Sequence, residues 1–331
     1  MTGATIPIPD VARATAARLK PARVPVHGVL LLDKPAGYSS NDALIKVKRL
    51  LSAQKGGHTG TLDPFATGLL PLCFGEATKF AQDLLEADKT YETVVRLGIT
   101  TSTGDTEGTV LATLPVDVTP AQIGTVLTRF RGPIEQVPPM HSALKRDGKP
   151  LYAYARAGIT LERSARPVTI HALELLGYQA PDLRLRVRCS KGTYIRVLGT
   201  DIGAALGCGA HLQVLRRIAL GSLPVTAAVT LEQFTSYTEV ERQRALLPVD
   251  ALLSSFPIVN LADELAQRFS HGQRLALDPG LFALPTQACR VRVYHAASGQ
   301  LLGTAHWQPY GVLAPQRLLV ADLPAHAGTI S

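Results

Sequence analysis

Short apolar runs ended by glycine or proline alternate along this chain with amphipathic stretches at helical spacing. GVLLLDK, residues 28–34, is a continuous apolar run closed by KPAG and predicts a buried strand. In SSNDALIKVKRLL, Ala43, Leu44, Val47, Leu50 and Leu51 recur at helical spacing behind Ser40 or Asn41 as the cap. YETVVRLGI predicts a strand, TSTGDTEG a polar, turn-rich loop, and TPAQIGTVLTRF a capped helix with Pro120 near its first position. LRLRVRC alternates strictly, with Arg184, Arg186 and Arg188 on one face and Leu183, Leu185 and Val187 on the other. That pattern predicts a half-buried strand with a cationic outer face. VLGTDIGAALGCGAHLQVLRRI predicts a helix, a glycine-rich turn and a continuation that ends in two arginines. Strands separated by helices in this way point to an α+β fold with a mixed or antiparallel sheet.

Between Pro138 and Pro167 the pattern changes. Lys145, Arg146, Lys149, Arg156, Arg163 and Arg166 are opposed there only by Asp147 and Glu162. The stretch reads as an inserted, basic, partly helical excursion. LLPVDALLSSFP, from 246 to 257, reads as a boundary. Beyond it, ACRVRVYHA, GQLLGTAHW and QRLLVADL are strand-like runs separated by glycine and proline, as in a small β-barrel.

Composition narrows the function classes. At 331 residues the chain suits one large domain or two unequal ones, and 46% hydrophobic with 18% charged residues excludes a disordered protein. A formal charge of +8 fits a polyanionic partner such as nucleic acid. Cys73, Cys189, Cys208 and Cys289 are far apart with no C-x-x-C pair, which argues against zinc and against a disulfide framework and for a reducing cytoplasm. No uninterrupted apolar run of about eighteen residues suggests a membrane span. The first 26 residues lack a long apolar core and carry Arg13, Arg18, Lys20 and Arg23 against Asp10, so they read as a flexible basic arm and not as a secretory signal. There is no phosphate-binding G-x-x-x-x-G-K-[ST] loop, zinc-deaminase pattern or convincing dinucleotide fingerprint, so no bound cofactor or metal is expected.

The densest chemistry is in GGHTGTLDPFATGLLPLCFG, residues 56–75. Asp63 before Pro64 predicts a helix start, with Asp63 as cap. A carboxylate so placed is held ionised by the macrodipole, and a fixed ionised carboxylate can attack a sugar carbon or an electrophilic ring. His58 is a structural or surface histidine, or a ring stacked beside a nucleobase. Tyr91 and Tyr194 are half-buried aromatics, or flat rings in a pocket for an extruded base. Arg196 is an exposed arginine on a cationic strand edge, or the bidentate partner of Asp63. Lys34 in DKPAG and the LRR run Leu215–Arg217 are weak signals by themselves.

Five stretches in one order carry a resemblance. They are GVLLLDKPAGYSSNDALIKVKRLL, GHTGTLDPFATGLLPLCFGEATKF, KTYETVVRLGITTSTGDTEG, PPMHSALKRDGKPLYAYARAGI and CSKGTYIRVLGTDIGAALGCGAHLQVLRR. Together they span most of residues 28–217, and the chain resembles the bacterial tRNA pseudouridine(55) synthases of the TruB type. The resemblance implies the α+β pseudouridine synthase fold with a mixed, largely antiparallel sheet over 27–250, the excursion at about 138–167 being the family's thumb. It implies a PUA-like β module over 256–328 on a weaker match, behind an arm over 1–26 that is longer than usual. The implied activity is isomerisation of the T-loop uridine, position 55, of tRNA by base flipping, without cofactor or metal, in a cytoplasmic monomer that binds the T-arm.

By the same resemblance Asp63 is the catalytic aspartate, Arg196 its paired arginine and Tyr91 the tyrosine beneath the target base. His58 stacks where the uridine leaves. Tyr194 and Lys34 line the pocket, Leu215 is an apolar wall, and Asp105 contacts bases flipped with the uridine. Lys145, Arg146, Lys149, Arg156 and Lys191 are expected on the RNA backbone, as is the Arg184–Arg188 face. Two other classes share these features. One is a non-catalytic tRNA-binding or tRNA-folding protein. The other is a hydrolase that releases uracil, for which a second carboxylate beside Asp63 would be needed; no such carboxylate is evident in the sequence around Asp63.

Overall fold

The fold is that of a computed structural model, which describes residues 22–278, 280 and 286–319. Most of the basic arm, residues 1–21, and the end of the C-terminal module from 320 lie outside the described residues. The last residues assigned to the arm are part of the fold: Val24 pairs with Ala53, and Val26 is buried in the main core.

Gly28–Lys34 is strand β1, buried because both of its faces are covered. Helix α1, Ser40–Leu50, is capped by Ser39, one residue before Ser40 and two before Asn41, through the Asp42 N–H at 3.1 Å. That leaves the Ser40 hydroxyl free for another task. Strands β2, Gly56–His58, and β3, Thr67–Phe74, flank the Asp63 loop. The short helix α2, Ala81–Leu85, leads into β4, Lys89–Leu97. A small hairpin follows, β5 at Ile99–Thr101 and β6 at Val110–Thr113, with Asp105 in its loop. Helix α3, Pro120–Arg129, is capped as its sequence predicts, and Thr119 and Gln122 form a reciprocal capping box. Beyond β7, Gly132–Gln136, the basic excursion holds β8, Lys145–Arg146, β9, Lys149–Pro150, and helix α4, Leu151–Arg156. Then come β10, Arg166–Gln179, β11, Asp182–Cys189, helix α5, Ile195–Ala205, and β12, Ala210–Leu220. Strands β13, Leu223–Pro224, and β14, Val229–Thr230, and helices α6, Leu231–Ser236, and α7, Glu239–Arg244, complete this unit.

Among the described residues these strands form a ten-stranded sheet ordered β14-β1-β3-β12-β4-β11-β10-β7, with β13 beside β12 and β2 beside β3. Only β1–β14 and β3–β12 are parallel, so the sheet is mixed and largely antiparallel. The structure corrects two expectations here. The continuation after the glycine-rich turn is strand β12, not helix. Register shifts at Leu212/Val214 and Arg217/Ala219 break its alternation, so the period of two is hidden in the sequence. The cationic face of β11 exists, but it points away from the candidate site. Arg186 pairs with Glu92 at 2.7 Å, on the face of β4 opposite Tyr91.

Among the described residues the C-terminal unit is a curled five-stranded half-barrel with its own core around Phe269, Val291, Val293 and Trp307. Its elements are β15, Ile258–Leu261, helix α8, Asp263–Ser270, β16, Leu275–Ala276, β17, Cys289–His295, β18, Leu301–Gln308, and β19, Val312–Leu318. Strand β19 starts earlier than the expected QRLLVADL run because a tight turn, Gly311 N–H to Gln308 O at 3.0 Å, closes the β18–β19 hairpin. Among the described residues no helix is long and apolar enough to cross a membrane.

Candidate active site

Asp63 lies in the loop between β2 and β3, and no helix begins at Pro64. The cap reading of Asp63 is therefore overturned. Its carbonyl accepts from Ala66 N–H at 3.1 Å in a turn, and pairing with β1 and β12 then claims the chain as β3. The loop is clamped from below instead. The Ser40 hydroxyl donates to Leu62 O at 3.0 Å and accepts from Leu62 N–H at 2.8 Å. Gly37 N–H donates to Pro64 O at 2.9 Å. Arg217 Nη2 donates to Gly60 O at 3.0 Å and its Nε to Leu69 O at 2.7 Å.

What faces the Asp63 carboxylate is a guanidinium. Arg196 Nε is 3.0 Å from Asp63 Oδ2, and Arg196 Nη1 is 3.3 Å from Asp105 Oδ2. Arg196 sits in the first turn of α5, not on a strand edge, and is only 5% exposed. Its Nη1 also donates to Thr103 O at 3.1 Å and its Nη2 to His141 O at 2.7 Å, so all three nitrogens of this buried cation have partners. Burial pushes the Asp63 carboxyl above its ordinary range; Arg196 opposes that push and Asp105 adds to it. Asp105 is itself buried, with Oδ1 accepting from Glu107 N–H at 3.0 Å and from the Thr103 hydroxyl. Two further carboxylates, Asp105 and Glu107, thus stand near Asp63, which the sequence around Asp63 does not reveal; burial pushes the Glu107 carboxyl up, with Asp105 and Asp63 adding to it.

Asp63 and Arg196 stand where two cavities meet. The smaller, about 250 Å³, is lined by Asp63, Tyr91, Tyr194, Arg196, Leu215 and Arg217 among others. The larger, about 840 Å³, contains His58, Asp105, Glu107 and Arg156. Tyr91 lies directly opposite Arg217 across the β4–β12 pairing. Burial raises the Tyr91 phenol, and the Arg217 guanidinium beside it opposes the rise. Burial also raises the Tyr194 phenol and lowers His58, which favours a neutral imidazole whose Nδ1 is buried without a partner.

Several expected residues fall elsewhere. Lys34 is fully buried and donates to the carbonyls of Pro35 at 2.9 Å, Tyr38 at 2.7 Å and Pro64 at 3.3 Å. It braces the Asp63 loop from behind and does not line the small pocket; burial lowers its ammonium to about 8. Lys145, Arg146 and Lys149 are exposed on the β8–β9 hairpin. Arg156 packs over the Tyr152 ring at 5.4 Å. Lys191 is paired with Glu86 near the pocket mouth. Arg217, Ser40 and Lys89 are the residues that sequence reading missed. In a strand, the adjacent arginines of LRR must point to opposite faces: Arg216 grips Asp33 at 2.9 and 2.6 Å, and Arg217 enters the pocket.

Gly68 makes this crossing possible. It has φ +103°, and a Cβ there would lie 2.2 Å from Arg217 O on the neighbouring strand. Gly68→Ala is expected to cost about 2–4 kcal/mol in urea unfolding, from forced backbone conformation and steric overlap together.

The comparisons with known proteins agree with this architecture. The chain of a solved Cbf5-Nop10-Gar1 complex superposes with a TM-score of 0.68 at 25% identity, covering 88% of this chain and 84% of that one. A solved H/ACA RNP bound to a substrate RNA containing 2'-deoxyuridine matches in fold with a TM-score of 0.66 at 24% identity, over 89% of this chain and 86% of that one. The mixed sheet with its C-terminal half-barrel defines the pseudouridine synthase class. Family models for the TruB family pseudouridylate synthase N-terminal domain, the tRNA pseudouridylate synthase B C-terminal domain and the C-terminal region of pseudouridine synthase II TruB match residues 48–195, 196–254 and 257–319. The tRNA pseudouridine synthase B of Ralstonia nicotianae is 63% identical over 91% of this chain and 96% of its own, and that of Burkholderia lata 60% over 94% and 96%. The chain belongs to the TruB family of pseudouridine synthases.

Proposed function

We propose that this chain converts uridine to pseudouridine in tRNA, and that its target is the T-loop uridine at position 55, flipped out of the T-arm into the Asp63 pocket. The observation that carries this reading is one carboxylate ion-paired to a buried arginine at the mouth of a pocket walled by Tyr91, Tyr194 and Leu215. Relatives of 60–63% identity named tRNA pseudouridine synthase B support the substrate class.

The reaction breaks N1–C1′, turns the base and joins C5 to C1′; the C5 proton leaves and N1 ends protonated. Substrate and product are isomers, so no co-reactant is needed. The pocket must hold uracil beside the ribose and exclude water during the turn. Asp63 begins the sequence, by attack at C1′ or by removal of the 2′ proton on the glycal route. The neighbouring cation keeps its carboxylate available for either. Tyr91 bounds the motion of the base and, as the phenolate that the Arg217 guanidinium beside it favours, takes the C5 proton. His58 stacks in the place the uridine vacates, Leu215 and Tyr194 close the wall, and Asp105 meets bases displaced with the target. Lys34 contributes by bracing the Asp63 loop.

The enzyme acts as a monomer in the cytoplasm, in keeping with four free cysteines. Its catalytic unit runs to 250 from Val24, which pairs with Ala53, with the thumb at 138–167 and an RNA-binding module at 256–328, a division supported by the separate core of that module.

Incubation of unmodified tRNA with the pure protein, followed by mapping of pseudouridine, tests the reading. A single modified site at position 55 is expected. Binding without conversion would favour the RNA-folding alternative, and free uracil would favour the hydrolase. Tyr91→Leu is expected to lower single-turnover conversion by at least about 100-fold, as for loss of a positioned proton acceptor, while the far-UV spectrum stays native. Arg146→Glu with Lys149→Glu is expected to weaken tRNA binding about tenfold at low salt and to flatten its salt dependence. An unchanged salt slope would remove the thumb from RNA binding.

A further inference from the structure

The C-terminal half-barrel grips the catalytic unit through one face of β17. Val291 and Val293 point into the half-barrel core, so Arg290, Arg292 and Tyr294 form the alternate row. Each of the three reaches a fixed partner. Tyr294 hydrogen-bonds Asp250, Arg292 donates to Phe256 O at 3.1 Å, and Arg290 is ion-paired with Asp83. Arg290 is itself held, by Gln316 Oε1 at 2.7 Å and by the Phe256 ring at 4.9 Å. Asp83 is the unusual member. Its side chain is only 6% exposed, and its Oδ2 has no hydrogen-bond partner. A carboxylate that deeply buried needs its cation to stay in place.

Asp83 lies on α2, a helix of little more than one turn, and Leu85 at the end of that helix lines the small pocket. The same segment is tied to the sheet at its other end. Lys89 Nζ donates to Leu85 O and Ala87 O, both at 2.6 Å. Lys89 also lines the pocket, two residues from Tyr91 on the same face of β4. A continuous set of contacts therefore runs from β17 through Asp83 and Leu85 to Lys89 and the wall beside Tyr91.

We propose that Asp83 and Arg290 are positioning residues for the reaction: through them the C-terminal half-barrel sets Leu85 in the pocket wall, in addition to any contact it makes with RNA. This rests on the Asp63 pocket being the reaction site. The pair acts on the rate of the bound complex and leaves affinity alone, because neither residue lines either cavity at Asp63.

The full-length chain is tested with Asp83→Asn, Arg290→Ala, Arg290→Lys and the exchanged pair Asp83→Arg with Arg290→Asp. Asp83→Asn and Arg290→Ala are each expected to slow single-turnover conversion about tenfold or more, since small misplacements at a reacting site are costly, with tRNA affinity unchanged. Arg290→Lys and the exchanged pair are expected to recover most of the rate. Leu85→Ala, which alters the wall directly, is expected to show the same loss without weakening the contact between the units. Unchanged rates, a loss expressed only as weaker tRNA binding, or lowered melting with no recovery on exchange would overturn the inference. A wild-type chain that binds tRNA without converting it would overturn the proposed function itself, and the inference with it.

Discussion

Asp63→Asn is expected to abolish conversion, by at least about 10⁴-fold in single turnover, the scale on which removal of a nucleophile acts. An amide neither attacks C1′ nor takes a proton. The substitution is nearly isosteric, and Arg196 keeps Asp105 and the carbonyls of Thr103 and His141, so the pocket stays assembled and tRNA binding persists. Retained turnover in a tritium-release assay would exclude Asp63 as the nucleophile or base. The pH dependence follows from the same geometry. The reactive form is the ionised carboxylate, and its pKa is raised chiefly by burial and further by Asp105, against the pull of Arg196. Conversion is therefore lost as pH falls through a value above the ordinary aspartate value of about 3.9. A pH–rate profile of the chemical step locates that acid limb. A limb at or below the ordinary value would mean that Arg196 outweighs burial.

Arg196→Met has the second large effect, on both stability and rate. The guanidinium is the cation between Asp63 and Asp105; it is buried with Asp105, while the Asp63 side chain stays half-buried at the pocket mouth. Removing one partner of a buried ionic cluster typically costs about 3–5 kcal/mol, because the remaining charges are left uncompensated. Two carboxylates without their cation must then share a low-dielectric site, so the Asp63 pKa rises further and less of it is ionised at neutral pH. The expected result is a lower urea midpoint together with an acid limb moved to higher pH. Arg196→Lys keeps the charge but loses the planar fork that reaches both acids and two carbonyls, so it should restore stability more than rate. A variant as stable as the wild type would show that the ion pairs merely balance their desolvation.

Much of the fold was legible because its signals are local. β1 is a continuous apolar run, β4 and β11 alternate strictly, and α1 and α3 announce themselves by periodicity and a capping residue. β12 was not legible, since two bulges shift its phase and erase the alternation a strand would show. β15 and α8 were also missed, being short elements around a small core of their own. The cap reading of Asp63 followed a sound local preference that long-range pairing of β3 with β1 and β12 overrode. At the site, the residues that converge on the small pocket, Leu85 excepted, lie in stretches that carry the family resemblance. The sequence did not distinguish Lys34, which faces backbone carbonyls, from a pocket lysine, nor Arg217, which enters the pocket, from a helix-end arginine.

By itself, then, the sequence determined where the strands and helices with local signals form, which residue types stand at each turn, and the family to which they belong. The resemblance already paired Arg196 with Asp63; which further charges meet, and at what distance, the tertiary structure alone decided. Arg196 touches Asp63 and Asp105, Arg217 lies against Tyr91, and Arg290 of the half-barrel holds Asp83. Propensity and periodicity act over a few residues, whereas desolvation and ion pairing depend on distances across the sheet and between the two units. A carboxylate in GTLDPF is an ordinary aspartate until the fold half-buries it and sets a single guanidinium between it and a second acid.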